Sequence, residues 1–428
     1  MLDSPLAIMS MTSAAAGMHD PGGATPAAAA RLDSIDLLRG VIMILMSLDH
    51  VRDYFTHLQF APEDIRSTWL ALFFTRWVTH FCAPLFFLLA GLAAALSATR
   101  GRSPRDVRHV LWTRGLWLVL IELTVLGFAW TFIPGWSFGG VIWALGWSMV
   151  ALSVIVRLPV RAIAVLAVAT IFLHNLLDPI RPEQLGALGP VWGLLHAPTF
   201  IPIAPQYGMW FAAYVLVPWF AVMAGGYALG AVYQFDPARR RRLLTAMGFG
   251  AIALFVLLRS TNAYGNPVPP ATIVSPGDFH IQATPARTII LFLDTEKYPP
   301  SLQYLLMTLG PGLIALAWLE RIDLRARGAL AAMANAVVVF GRVPFFYYLL
   351  HIFLAHVLTV PVALLMGQPW NGRLIGGPIL AGPPPPGYGL NLRGIYVMWI
   401  VVNVLLFLPC RWFAEYKRTH RRWWLSYV

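Results

Sequence analysis

Asp49 and His50 stand side by side, followed by Arg52 and Asp53, at the end of an otherwise apolar run. A neutral imidazole beside a carboxylate is the material of a general base working near neutral pH. The run from Leu37 to Leu48 has only Arg39 and Ser47 as polar residues, and Asp36 precedes it. That pattern suits a helix entering lipid. An ionisable group inside a membrane helix costs about 2.5–3.5 kcal/mol on insertion scales, so such groups persist where they face protein or a wet cavity. At ~1.5 Å per residue, His50 lies about 21 Å beyond Asp36, some two-thirds of the way across a ~30 Å hydrocarbon core. Spacing alone leaves two readings. The group either does chemistry within the membrane or marks where the helix meets water.

Further polar residues interrupt other apolar stretches. In WLALFFTRWVTHFCAPLFFLLAGLAAALS, Arg76 and His80 are four apart and share one helical face. They can snorkel to the interface, or they can join His50, with Pro84 loosening the helix below them and Gly91 allowing close packing. Arg76 is the best-placed cation to steady a developing oxyanion, and Asp49 the group expected to hold His50. NAVVVFGRVPFFYYLLHIFLAH holds Arg342, Tyr347, Tyr348, His351 and His356. It is too long for one straight span and is expected to break at Pro344 or to start as a surface helix. Tyr347 and Tyr348 lie four and three residues before His351, so one of them can orient its ring. His356 falls on another face and reads as structural. The loop SPRDVRHVLWTRG carries Arg105, Arg108 and Arg114, either as a topology signal or as a dock for an anionic ligand. Glu122, a buried acid, is eight residues beyond Arg114 and can stack on the same face. His174, His196 and His280 sit in or near loops without evident partners, and Trp143 and Trp147 read as packing surface.

The elements that must position these groups follow from composition. The chain has 428 residues, 58% hydrophobic and 12% charged, with mean hydropathy +0.66. Soluble domains carry about 25% charged residues. The chain is therefore an all-α polytopic membrane bundle. Ten candidate spans lie near 37–56, 69–97, 110–132, 138–156, 159–177, 208–232, 242–260, 300–319, 333–363 and 394–412. The net charge of +12 comes from arginines in short loops between spans, which argues for topology and against nucleic acid. Arg100 to Arg108, Arg157 and Arg161, Arg239 to Arg242, Arg321 to Arg327 and the tail mark one side. The positive-inside rule then places both termini in the cytoplasm.

The long loops near 178–207, 261–299 and 364–393 face outward, rich in Pro and Gly. Trp192, Tyr207, Tyr264, Phe279 and Tyr298 in them can cover a cavity or stack on a sugar, or simply sit at the interface. Residues 1–30 read as a disordered lead-in, 31–412 as the membrane domain and 413–428 as a basic cytoplasmic tail. Cys82 and Cys410 make no disulfide framework. No metal motif is present, nor HExxH, GxSxG, Walker A or CxxC.

RLDSIDLLRGVIMILMSLDHVRDYF resembles the opening helix of the bacterial branch of the heparan-α-glucosaminide N-acetyltransferase catalytic-domain family. It is also similar to membrane acyltransferases that modify cell-envelope sugars, in which an LRG arginine precedes a helix histidine by eleven positions, as Arg39 precedes His50. HFCAPLFFLLAG, KYPPSLQYLLMTLGP, FGRVPFFYYLLH and RRWWLSYV look like the same branch. The resemblance implies a bacterial inner-membrane enzyme that moves an acyl group, acetyl foremost, from acyl-CoA to a carbohydrate or similar acceptor across the membrane. It implies His50 as the catalytic histidine and the Arg105–Arg108 region as the CoA side, with Arg114 alongside. Arg76 and His80 stand with His50, and Asp36, Arg39, Arg342, Tyr348 and His351 as supporting groups. His57 remains a rival to His50, because in the lysosomal branch the histidine lies further past the first span. A proton-coupled transporter would use the same groups, although no inverted repeat links the halves. Membrane lipid is the expected surroundings, and a homodimer is left open.

Overall fold

The structure, a computed structural model, describes residues 26–99, 103–198, 200–204, 208–267, 277–420 and 422–427. It is nearly all helix. In chain order the main helices are α1 (Pro26–Phe55), α2 (Leu70–Ala98), α3 (Pro104–Thr131), α4 (Val141–Ile155), α5 (Val160–Leu177), α6 (Leu216–Gln234), α7 (Pro237–Thr261), α8 (Leu302–Leu319), α9 (Ala329–Arg342), α10 (Pro344–Leu365) and α11 (Leu392–Thr419). Among the described residues, eight of these are long and apolar enough to cross a membrane, while α4 and α9 are apolar but shorter. α1 carries Asp36, Arg39, Asp49, Arg52 and Asp53 along its length.

α1 is the central post, packed against α2, α8, α9, α10 and α11. Two glycines set its approach to α9. A Cβ on Gly40 would strike the Val337 carbonyl, and one on Gly341 would strike the Asp36 carbonyl. Small residues let membrane helices come this close.

Breaks in the helices follow local chemistry. Within α2, a 3₁₀ turn spans Val78–Phe81. Pro84 cannot donate to the carbonyl of residue 80, and the Tyr304 hydroxyl takes that carbonyl instead, at 2.8 Å. Within α3, a π-turn spans Glu122–Leu126 and ends at a buried Gly127. The stretch 333–363 divides at Val343, whose backbone (φ −131, ψ 50) leaves the helical region before Pro344. The break expected at Pro344 is present, and α9 precedes it.

Several boundaries move. α1 begins at Pro26, so residues 26–30 are helix, and the remainder of the expected lead-in lies outside the described residues. The span expected from 208 starts at Leu216, because 208–211 pair with 200–204 as a two-stranded antiparallel hairpin. The last helix runs to Thr419, so 413–419 of the expected tail are helical and continue it. The loops at the far end of α1 are knitted together. Leu390 N–H donates to the Phe55 carbonyl at 2.6 Å, and Leu302 N–H to Asn175 Oδ1 at 2.8 Å. Hereafter that is the loop end, and the opposite face, where α1, α3 and α10 begin, is the basic end.

Candidate active site

His50 lies on the last turns of α1, and its Nδ1 is 2.6 Å from His351 Nε2 on α10. His351 Nδ1 is 3.1 Å from the Tyr347 carbonyl. A carbonyl can only accept, so His351 carries its proton on Nδ1 and accepts at Nε2. His50 must then donate from Nδ1, which leaves Nε2 as an unprotonated lone pair. The two imidazole planes are within 14° of parallel with centroids 4.9 Å apart, so the rings meet nearly edge to edge, and the Tyr347 ring lies 5.3 Å from His351 at 12°. The Tyr347 hydroxyl donates to Asn403 Oδ1 at 2.8 Å, and Trp130 meets the His50 ring edge-on at 4.8 Å. His351 is fully buried. The expected orientation of His351 by its preceding tyrosines is present, through the Tyr347 backbone and ring.

Asp49 does not hold His50. It bridges Arg52 at 2.7 Å and Arg76 at 2.5 Å. Arg76 also pairs with Glu63 at 2.5 Å, and Arg52 with Asp53 at 2.6 Å. This chain of three carboxylates and two guanidiniums holds Nε and Nη1 of Arg76 and fixes its guanidinium in the wall of the loop-end chamber. Burial pushes the Glu63 carboxyl up, but the Arg76 guanidinium outweighs that and holds it well below the usual range. His80 is buried, 3.7 Å from Glu63, and stands behind this chain, away from the chambers described next. His57 is exposed, with Nδ1 2.8 Å from the Leu390 carbonyl, and lines none of those chambers.

Three cavities line up along the bundle. At the basic end a chamber of 270 Å³ is walled by apolar residues of α2, α3 and α4 and rimmed by Arg39, Arg114, Arg342 and Lys417. At the loop end a chamber of 440 Å³ is lined by His50, Asp53, Arg76, Trp130, Lys297, Tyr298 and Arg373 among others. Between them lies a throat of 40 Å³. The throat shares Phe86 and Ile142 with the basic chamber, and His50, Asp49, Tyr214, Lys297 and Tyr348 with the loop-end chamber. His50 therefore sits where the two chambers meet.

The basic rim differs from expectation. Arg105 is exposed, and Arg108 donates to the Ser153 carbonyl at 3.2 Å; neither lines a chamber. Arg114 does, two turns deeper on α3. Asp36 ties Arg39 at 2.8 Å, and Arg342 is 3.8 Å from Asp33 with half its side chain exposed. Glu122, fully buried, faces the amino end of α4 at Gly140. There it meets backbone N–H groups and the positive end of the helix dipole. Among the described residues no group of three or more His, Cys, Asp or Glu could hold a metal ion.

Glu63, Lys297, Tyr214 and Trp130 were not singled out as site residues from sequence. Lys297 and Tyr298 are the KY of the family-like KYPPSLQYLLMTLGP, which was the available signal. Of the histidines without evident partners, His174 and His196 are loop pins and His280 is not. His174 Nε2 is 2.8 Å from the Pro300 carbonyl, and His196 Nε2 is 2.8 Å from Asp178. His280 is exposed, 2.9 Å from the Asp278 carbonyl. His356 bridges the carbonyls of Ala129 and Leu374, a structural role as expected.

The bundle is that of an integral membrane protein, with helices long and apolar enough to cross a membrane and the His50 imidazole at the junction of two chambers. Residues 31–261, more than half of the chain, match the model of the heparan-alpha-glucosaminide N-acetyltransferase catalytic family, and the chain belongs to that family. It is a membrane acetyltransferase. No curated protein matches it. His50, Arg76 and Arg114 fall within the matched residues, whereas Lys297, Arg342 and His351 lie beyond them.

Proposed function

We propose that the protein takes an acetyl group from acetyl-CoA at its basic end and delivers it to an amine or hydroxyl of a carbohydrate or similar envelope acceptor at its loop end. The basic rim suits CoA. Arg39, Arg114, Arg342 and Lys417 offer phosphate partners, and the apolar wall below them suits the pantetheine arm. By the positive-inside rule the basic end is cytoplasmic, with both termini on that side, in a bacterial inner membrane. The thioester reaches the throat and the acceptor waits in the loop-end chamber. His50 Nε2 takes the proton as the acceptor heteroatom attacks the thioester carbon. The C–S bond then breaks, the proton passes to the departing thiolate, and CoA thiol and acetylated acceptor result. His351 fixes the tautomer that makes Nε2 the base, a positioning role.

One observation carries this reading: the throat shares lining residues with both chambers, and His50 belongs to the throat. The test is thiol release from acetyl-CoA by purified protein, with glucosamine as the acceptor probe. Acceptor-stimulated release that His50→Ala lowers by a factor of about 10²–10⁴, the usual worth of a general base, supports it. Glucosamine uptake into vesicles without thioester turnover would instead indicate a transporter.

A further inference from the structure

We propose that Lys297 is a catalytic residue whose ammonium receives the oxyanion formed when the thioester carbonyl is attacked. This rests on the acetyl-transfer reading above and assigns it a second working group.

The attack moves the carbonyl π pair onto oxygen within the space that also holds His50. That space is the throat, and among its lining residues Lys297 alone is a cation. The residue is only 8% exposed. A charge this buried normally has a carboxylate partner, because desolvation costs several kcal/mol. Yet none of the ion pairs among the described residues includes Lys297. The neighbouring chain Asp53–Arg52–Asp49–Arg76–Glu63 has one more carboxylate than guanidinium. Its excess negative charge offsets the ammonium at longer range, without an ion pair that would take up its N–H donors.

The other cations nearby are held or stand outside the throat. Arg52 is tied by Asp49 and Asp53, and Arg76, with Nε and Nη1 tied by Glu63 and Asp49, lines the loop-end chamber and not the throat. Arg373 gives Nη1 to the Gly382 carbonyl at 2.8 Å and Nη2 to the Asp53 carbonyl at 3.2 Å, and lines only the loop-end chamber. Lys297, in contrast, has its ammonium beside the Tyr298 hydroxyl as one hydrogen-bond partner, which leaves other N–H donors for a ligand. The Tyr298 and Tyr214 rings flank it at 5.0 and 5.9 Å. Its segment is pinned by Glu296 N–H to Asn266 Oδ1 at 2.9 Å, Tyr298 N–H to Glu296 Oε1 at 2.7 Å, and Ser301 N–H to the Glu296 carbonyl at 2.9 Å. A fixed donor aimed at developing charge in a dry site is the arrangement that lowers a barrier without reorganisation.

The bland alternative is that Lys297 only balances the acidic chain and supports the fold. Lys297→Met separates the two, measured beside wild type and His50→Ala with acetyl-CoA and glucosamine. Loss of an oxyanion donor lowers kcat by about 10²–10³, with KM for acetyl-CoA within about threefold. A binding readout accompanies it. S-carboxymethyl-CoA places a carboxylate where the oxyanion would form, so Lys297→Met should weaken its binding by about tenfold or more relative to CoA itself. Lys297→Gln repeats both measurements should the Met variant fail to fold. The proposal is overturned if kcat stays within threefold, or if carboxymethyl-CoA and CoA weaken equally. Loss of activity in His50→Ala but not in Lys297→Met would sink this assignment alone. A wild type inactive on acetyl-CoA would sink the transfer reading and this one with it.

Discussion

Replacing His351 by alanine tests the claim that His50 is a base because of its partner. The 2.6 Å contact to His351 Nε2 is the one hydrogen bond of the His50 side chain among the described residues, with His50 in the throat wall and His351 behind it. Without it, the Nδ1 proton of His50 loses its acceptor inside the protein, and the ring can turn or carry its proton on Nε2. A buried polar group left unpaired costs about 1–3 kcal/mol, which at 1.36 kcal/mol per tenfold corresponds to a loss of about 5- to 150-fold in kcat. His351→Gln, which can still accept through its amide oxygen, should recover part of that loss. The assay is thiol release at saturating acetyl-CoA with glucosamine. Because both residues act as one unit, the double variant His50→Ala/His351→Ala should be no slower than His50→Ala alone. A folded His351→Ala enzyme within twofold of wild type, or losses that multiply in the double variant, would refute the tautomer argument.

Other outcomes follow from the same geometry. Arg114→Gln removes one rim cation, and a charged hydrogen bond of about 1.5–3 kcal/mol sets a rise of about tenfold or more in KM for acetyl-CoA with little change in kcat. Exposed Arg105→Gln should leave KM within twofold, and equal effects of the two would contradict the placement of the mouth. Phe86→Ala widens the boundary between basic chamber and throat, so the ratio of butyryl-CoA to acetyl-CoA turnover should rise about tenfold, the scale of one or two methylenes; an unchanged ratio would show that the throat does not select the acyl group. Burial pushes the Glu296 carboxyl up from 4.5 to about 7. The folded state then holds more protons than the unfolded chain between those values, so this group makes stability fall as pH rises from about 4.5 to 7, by about 3 kcal/mol at most. Thermal melts of Glu296→Gln should lose that slope and exceed wild type above pH 7; parallel curves would contradict it.

What could be read from sequence was whatever depended on periodicity and local chemistry. The polar residues at the end of an apolar run located His50, and the prolines at 84 and 344 marked breaks that the structure contains. The arginine-rich loops revealed a basic end but not which arginines enter the chamber. Arg105, Arg108 and Arg114 look alike by type, and only helix phase and depth put Arg114 on the rim. Partners distant in sequence were less legible still. His351 was tied to its adjacent tyrosines, and nothing local shows that its Nε2 meets a histidine on α1. Lys297 and Glu63 come from loops, where spacing carries no period, and they reach the site because those loops fold back over the bundle. Asp49 illustrates the same point: adjacency to His50 suggested a pair, but successive helical residues diverge by about 100° and Asp49 faces Arg76 instead.

The central claim is a base reached from both ends of the bundle. Protein reconstituted in one orientation, with its basic face outward in sealed vesicles, allows acetyl-CoA to be supplied outside only and glucosamine to be trapped inside. N-acetylglucosamine should form in the lumen at a rate that follows external acetyl-CoA and should vanish in His50→Ala. Product that forms only when both substrates share one compartment, or that persists without the His50 imidazole, would contradict the account.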